Sequence, residues 1–334
     1  MEEFLNPGFG CLGITEDCMM RCKNCRKWRK DRLVRKWSPL PTVEDWKRCV
    51  RDLAQIVDKD FYLNICGGEP FLYPGLFEII RAASDCGMQT CTASNGYLID
   101  DALAHQIAES GLTRISLSLD GATEQTHDYL RGVRGSYRRV IQAFEHIYRH
   151  CPDIKMSVQC VMYDINQDEL VDLVKLVHAR PQMGSLNFFV AMQPNNTPLE
   201  KEWWKGKHAY LFPRDSRKIT AIIDELIDMK KTGMPIVNTV SQLRAFQAYL
   251  QQPDKFVKTR QCNLDRGMVV SSVGDIGMCF EMGEGIGNIR DVSVLDAWRS
   301  AKAAAVRERI RACKKNCHVL INCFDEFNQD FSDE

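Results

Sequence analysis

Hydrophobic residues come in short blocks along the first two thirds of the chain, and two kinds of block alternate. Short apolar runs bounded by turn residues predict strands at Phe9–Thr15, Phe61–Cys66, Met88–Ala93, Thr113–Leu119, Ile154–Val161 and Ser185–Met192. Between them, apolar residues return at helical spacing over Val43–Val57, Leu76–Cys86, Asp100–Ser110, Tyr137–Arg149 and Gln167–Ala179, and again at about Ser216–Lys231. Strands that alternate with helices argue for parallel pairing through crossovers. Six such units predict an α/β fold, a partial (βα)6 TIM-like barrel.

The strand after Gly111 shows which side is which, because alternate residues face opposite ways. Ile115, Leu117 and Leu119 should pack on helices, while Ser116, Ser118 and Asp120 face the lumen, with Ser157 and Gln159 making a similar polar line. A lumen this polar suits a hydrophilic ligand; the alternative is an edge strand with a wet face. Between Gln193 and Asp215 the period is broken by Pro194, Asn195, Asn196, Pro198, Trp203, Trp204 and Pro213. A connection this long predicts a lid or substrate loop, with the paired tryptophans equally readable as a packing anchor. After about Gly233 the alternation stops, which divides the chain into 1–234 and a small extension, 235–334. Within the extension, Val269 to Met278 predicts a hairpin turning at Gly274, and a helix runs through Trp298.

Composition narrows the class. The chain has 334 residues, 45% of them hydrophobic, and its 44 basic and 44 acidic residues cancel. Zero net charge argues against a nucleic-acid partner, and the basic run Arg21 to Lys36 reads as a solvated face, balanced in part by the acidic stretch Asp325 to Glu334. No export signal and no membrane-length apolar run is visible, so a cytoplasmic protein with no membrane partner is expected. Fifteen cysteines in such a chain argue for thiols, metal ligation or clusters over disulfides.

Three of those thiols stand within eight residues, at Cys18, Cys22 and Cys25. The spacing also puts three side chains on one helix face, but the polar Arg21, Lys23 and Asn24 between them leave no apolar stripe to bury. A zinc knuckle needs a fourth ligand, and no nearby His or Cys supplies one. Three thiolates suit a [4Fe–4S] cluster whose fourth iron stays open to a small molecule. In the next predicted unit, Gly67-Gly68-Glu69-Pro70 follows the strand at its carboxyl end. There the glycines let backbone approach a ligand, and Glu69 offers an acceptor.

The C-x3-C-x2-C spacing with Gly67-Gly68-Glu69-Pro70 resembles the radical S-adenosylmethionine (SAM) superfamily. The resemblance implies that Cys18, Cys22 and Cys25 ligate a [4Fe–4S] cluster whose open iron binds SAM. An electron from it then yields a 5′-deoxyadenosyl radical that abstracts hydrogen from a substrate. It implies further that Gly67, Gly68 and Glu69 hold the SAM amino group, that Asn95 in Ser94-Asn95-Gly96 lies in a loop common to the family, and that Ser118 and Asp120 serve ribose and methionine contacts. Arg131 resembles an arginine that pairs with the SAM carboxylate, a contact suited to a bidentate guanidinium. Where the family often has an aromatic residue before the last cysteine, this chain has Asn24.

Cys262, Cys279, Cys313, Cys317 and Cys323 resemble the C-terminal region of the SPASM and twitch subgroup, which carries auxiliary iron–sulfur clusters. One auxiliary [4Fe–4S] cluster is expected, on Cys262, Cys279 and two or more of the other three; a structural zinc is the alternative. The resemblance implies hydrogen abstraction from a peptide or protein side chain, as in peptide maturases. A small-molecule dehydrogenation or cofactor-synthesis step is the second reading, and a non-catalytic electron carrier or redox sensor a third. An electron donor such as flavodoxin or ferredoxin is implied. Only seventeen residues precede Cys18, so a separate leader-peptide-binding protein would be needed for a peptide substrate.

Overall fold

The structure is a computed structural model, and it describes residues 5–28, 39–58, 61–195, 197–198, 200–257 and 262–323. Residues 29–36 of the basic run, Asn196, and the acidic stretch 325–334 lie outside the described residues. All six predicted strands form: β1 (Phe9–Thr15), β2 (Tyr62–Gly67), β3 (Gln89–Ser94), β4 (Arg114–Ser118), β5 (Lys155–Met162) and β6 (Ser185–Val190). They pair in parallel in that order. The crossover helices are α1 (Val43–Ala54), α2 (Leu76–Asp85), α3 (Asp101–Ala108), α4 (Glu124–Arg131), α5 (Ser136–His150) and α6 (Leu170–His178), followed by α7 (Ser216–Lys231) and α8 (Val240–Gln251).

The alternation along the strands sets the two sides of the sheet. Leu12, Leu63, Ile65, Ile115, Leu117 and Val158 are fully buried against the helices. On the other side Ser116 and Ser157 share a hydrogen bond of 2.8 Å, in the polar lumen the alternation predicts.

Neither edge of this six-stranded array is left bare. On one side β1 also pairs in parallel with β7 (Gly267–Val270), which turns back through Gly274 (φ 87°) into β8 (Asp275–Gly277) and then β9 (Gly287–Asn288). The hairpin at Gly274 is therefore real, and it lengthens the barrel sheet. On the other side two buried amides imitate a seventh strand: Asn238 exchanges hydrogen bonds with Phe188 N and O (2.7 and 2.9 Å), and Asn322 with Val190 N and O (2.7 and 3.2 Å). Asn322 ends α11 (His318–Asn322), which follows α9 (Val294–Arg299) and α10 (Ala301–Arg311).

The helices that escape the apolar pattern include α8 and α4. α8 lies past Gly233, where the alternation was expected to stop. α4 is short and mostly polar, so no apolar repeat marks it. Its ends do carry signals: Thr123 accepts from Thr126 N at the start, and Gly132 (φ 67°) closes it.

Candidate active site

The three-cysteine loop follows the carboxyl end of β1 and docks on the end of α4. Arg21 N donates to Arg131 O (3.0 Å) and Lys23 N to Leu130 O (2.9 Å), so two carbonyls that a helix terminus leaves open are satisfied by the loop. Gly132 permits this approach, since a Cβ there would lie 2.4 Å from Arg21 O. The far end of the loop is held by the connection after β6: Asn195 N donates to Asn24 O and Arg26 N to Asn195 O. Asn24 thus anchors this connection through its backbone. The connection is itself pinned by Trp203, which is buried and meets Trp204 and Phe212 edge to face. Of the two readings for the tryptophans, Trp203 packs as an anchor.

The glycine turn sits against the same loop from below. Gly68 N donates to Thr15 O and Glu69 N to Asp17 O, both at 2.7 Å. A Cβ on Gly67 or Gly68 would fall 2.2 or 2.1 Å from those backbone oxygens, so both glycines are required by close backbone contact. Glu69 is buried and accepts from Ser94 Oγ (2.8 Å) and Asn95 N (2.9 Å). Burial pushes its carboxyl up to about 7, against these hydrogen bonds and the more distant Arg131. Asn95 in turn points its amide at Cys18 Sγ (3.9 Å) and Met19 Sδ (3.3 Å).

Arg131 and Asp120 form a buried ion pair of 2.7 Å. Burial pulls the guanidinium down, but Asp120 and then Cys22 more than reverse this, and Arg131 stays charged with Nη1 3.9 Å from Cys22 Sγ. Asp120 also accepts from Val161 N (3.0 Å), and its own N–H donates to His127 Nδ1 (3.1 Å). Asn166 locks the pair of strand ends by donating to Asp120 O and Val161 O, each 2.8 Å. Ser118 is half-buried and lies opposite Gln159 on β5. Among the described residues, Arg131 Nε and Tyr163 Oη are buried without a hydrogen-bond partner. Tyr163 and Asn166 carry no sequence signal, being brought here by the end of β5.

Burial raises the Cys18 thiol and takes Cys22 up to about 11, with Arg131 the chief opposing influence on Cys22. Such thiols lose their protons when a metal binds them. Each of these two also feels Cys25, and the unpartnered Nε of Arg131, whose Nη1 faces Cys22, can receive an anionic group. The donor set therefore fits a three-thiolate cluster with an anionic ligand alongside.

The tail brings a second thiol group together. Cys262 lies within electrostatic reach of Cys279 and Cys313, and Cys317 within reach of Cys262. Burial raises Cys262 and Cys279, and takes Cys317 up to about 12. Cys323 Sγ lies 3.8 Å from His318 Nε2. Burial lowers His318 to about 4, and its ring stacks on Phe189. In a tetrahedral zinc site with Zn–S of about 2.3 Å, sulfurs stand about 3.8 Å apart. Among the described residues, no three of these thiols come within 4.8 Å of one another.

A cavity of about 360 Å³ joins the two regions. Cys11, Cys66, Lys27 and Glu16 line it on the barrel side, and Asp275 and Cys279 on the tail side. Lys27 pairs with Glu16 at 3.0 Å, and Cys11 and Cys66 have their sulfurs 3.1 Å apart. Lys27 belongs to the basic run that the sequence marks as a solvated face, and here it lines the cavity.

The sequence model of the radical SAM superfamily matches residues 12–177, and that of an iron–sulfur cluster-binding domain, SPASM, matches 262–323. The chain belongs to the radical SAM superfamily and carries a SPASM region. It is 24% identical over 304 residues to an AdoMet-dependent heme synthase of Methanosarcina barkeri, across 86% of this chain and 81% of that protein. To a PqqA peptide cyclase of Bradyrhizobium diazoefficiens it is 27% identical over 175 residues, 52% of this chain and 44% of that one. SuiB of Streptococcus suis, solved with bound S-adenosylmethionine, shares the fold with a TM-score of 0.68 at 17% identity, over 94% of this chain and 73% of its own. This chain is accordingly an enzyme whose cofactors are a [4Fe–4S] cluster with SAM and, in the SPASM region, auxiliary iron–sulfur. Among the described residues no helix is long and apolar enough to cross a membrane.

Proposed function

We propose that this enzyme modifies a peptide side chain held in the cavity between the two thiol groups. Cys18, Cys22 and Cys25 would hold the SAM-binding cluster, which would supply the electron that splits SAM for hydrogen abstraction. Glu69, with the Gly67 and Gly68 backbone, receives the SAM amino group. Arg131 receives the carboxylate, with Asp120 holding the guanidinium in place. Asn95 orients the loop at Cys18, and Ser118 faces the ribose. Cys262, Cys279, Cys313 and Cys317 hold one auxiliary [4Fe–4S] cluster, leaving Cys323 to His318. Residues 1–234 form the catalytic unit and 235–334 the auxiliary one.

The observation that carries this reading is the cavity itself, bounded by Lys27 just past Cys25 and by Cys279. At about 360 Å³ it lies at the small end of ligand pockets and suits one or two side chains. Its charged Lys27, Glu16 and Asp275 suit a polar chain. Similarity to the peptide cyclase over about half the chain supports the same reading. Similarity to the heme synthase over 86% of the chain favours a small-molecule oxidation as the second reading. A flavodoxin- or ferredoxin-type donor supplies the electron, and a separate protein binds any leader peptide.

The test is anaerobic incubation of reconstituted enzyme with SAM and a strong reductant, once with short peptides encoded beside its gene and once with an iron porphyrin. Peptide-dependent 5′-deoxyadenosine and a peptide lighter by two hydrogens are expected. An altered porphyrin beside unaltered peptides would overturn the peptide reading in favour of the second.

A further inference from the structure

A third group of metal-ligating side chains lies apart from the thiols and the cavity, on the helical side of the barrel. α3 carries Asp101 and His105, and α5 carries His146 and His150; each pair is four residues apart and so shares one face of its helix. The faces meet at Asp101. Its Oδ1 lies 2.8 Å from His150 Nε2 and 3.1 Å from His146 Nδ1. The rings of His105 and His150 stand 3.9 Å apart, centroid to centroid. One ligand atom from each of Asp101, His105 and His150 lies within 4.8 Å of the other two.

Ligands about 2.0–2.1 Å from a tetrahedral zinc stand about 3.4 Å from each other, so small side-chain rotations close this group onto an ion. Imidazoles with one carboxylate are a donor set for zinc and its late first-row neighbours. The carboxylate is also approached by Arg149 Nη1 at 3.0 Å, a cation that an ion must displace. That side chain is 61% exposed and can swing into solvent. Holding Asp101 between three cationic or hydrogen-bonding neighbours keeps it ionised, as a ligand must be.

We propose that Asp101, His105 and His150 bind a late first-row divalent ion, zinc by its preference for this donor set, with solvent completing its coordination. The ion staples α3 to α5. α3 follows the Asn95 loop, and α5 follows α4, whose Asp128 accepts from Ser136 Oγ and Tyr137 N at the start of α5. The staple thus joins the crossovers behind Asn95 and Arg131 without touching either.

The experiment is equilibrium dialysis of the cluster-loaded holoenzyme against micromolar zinc chloride, with bound zinc counted by elemental analysis. His105→Ala/His150→Ala is expected to hold one zinc equivalent fewer than the unaltered chain, since thiols such as the exposed Cys86 contribute equally to both. Asp101→Asn is expected to weaken that zinc at least tenfold. Equal zinc in the double variant and the unaltered chain would overturn the proposal. His105→Gln, at an exposed position, gives the same comparison if the double variant folds poorly.

Discussion

Cys18, Cys22 and Cys25 stand in one eight-residue loop clamped from three sides, whereas Cys262, Cys279, Cys313 and Cys317 arrive from separate segments of the tail. The first loop is fixed by the α4 carbonyls, the glycine turn and Asn195, so its backbone is in place before any ligand arrives. The tail thiols hang on a hairpin of four- and three-residue strands and on the five-residue α11. A site whose ligands converge from afar over so little regular structure takes much of its order from the metal. The difference teaches that the two sites should fail in different ways, the first losing chemistry and the second losing structure.

The largest effect is expected from Cys18→Ala/Cys22→Ala/Cys25→Ala, which should reduce 5′-deoxyadenosine to background while about half the iron remains at the tail. Complete iron loss, measured by chemical analysis, would contradict two separable sites. Next, Cys262→Ala/Cys279→Ala should spare some SAM cleavage, stop product formation, and speed proteolysis of the tail, whereas Cys323→Ala should leave the iron content unchanged. A tail equally resistant to protease in both would remove the contrast between the sites.

Arg131→Gln leaves Asp120 buried without its partner and is expected to cost about 3–5 kcal/mol of stability. Denaturant unfolding measures it, and a cost under about 1 kcal/mol would mean that the pair does not hold the site. The smallest effect concerns pH. Burial puts Glu69 at about 7, and an ammonium beside it favours the ionised form, so SAM binding expels the proton. SAM affinity should therefore rise as pH climbs toward 7 and fall below it, by up to about tenfold per unit. Calorimetry between pH 5.5 and 7 tests this, and a profile no steeper than that of Glu69→Gln would move the amino group elsewhere.

Much of the frame was legible because local pattern and tertiary placement agree. β1 forms over the predicted Phe9–Thr15, and Ile115, Leu117 and Leu119 bury as alternation requires. The thiol spacing and glycine turn were legible because their chemistry is local. What escaped was long-range or polar. Asn322 completes β6 from 132 residues away, and no periodicity encodes such a bond. α4 hid because its stability comes from its caps and from the loop docked on its end. The contact between Cys323 and His318 became visible only once the tail was folded.

The position of β1 has a consequence for biosynthesis. It is made well before one of its two neighbours, β7, which begins only at Gly267. At ordinary translation rates of about 5–20 residues per second, the strand waits on the order of tens of seconds with one edge bare. A nascent chain in that interval offers an unpaired, apolar strand to any other extended segment, so its yield in cells should depend on holdase chaperones that shield that edge.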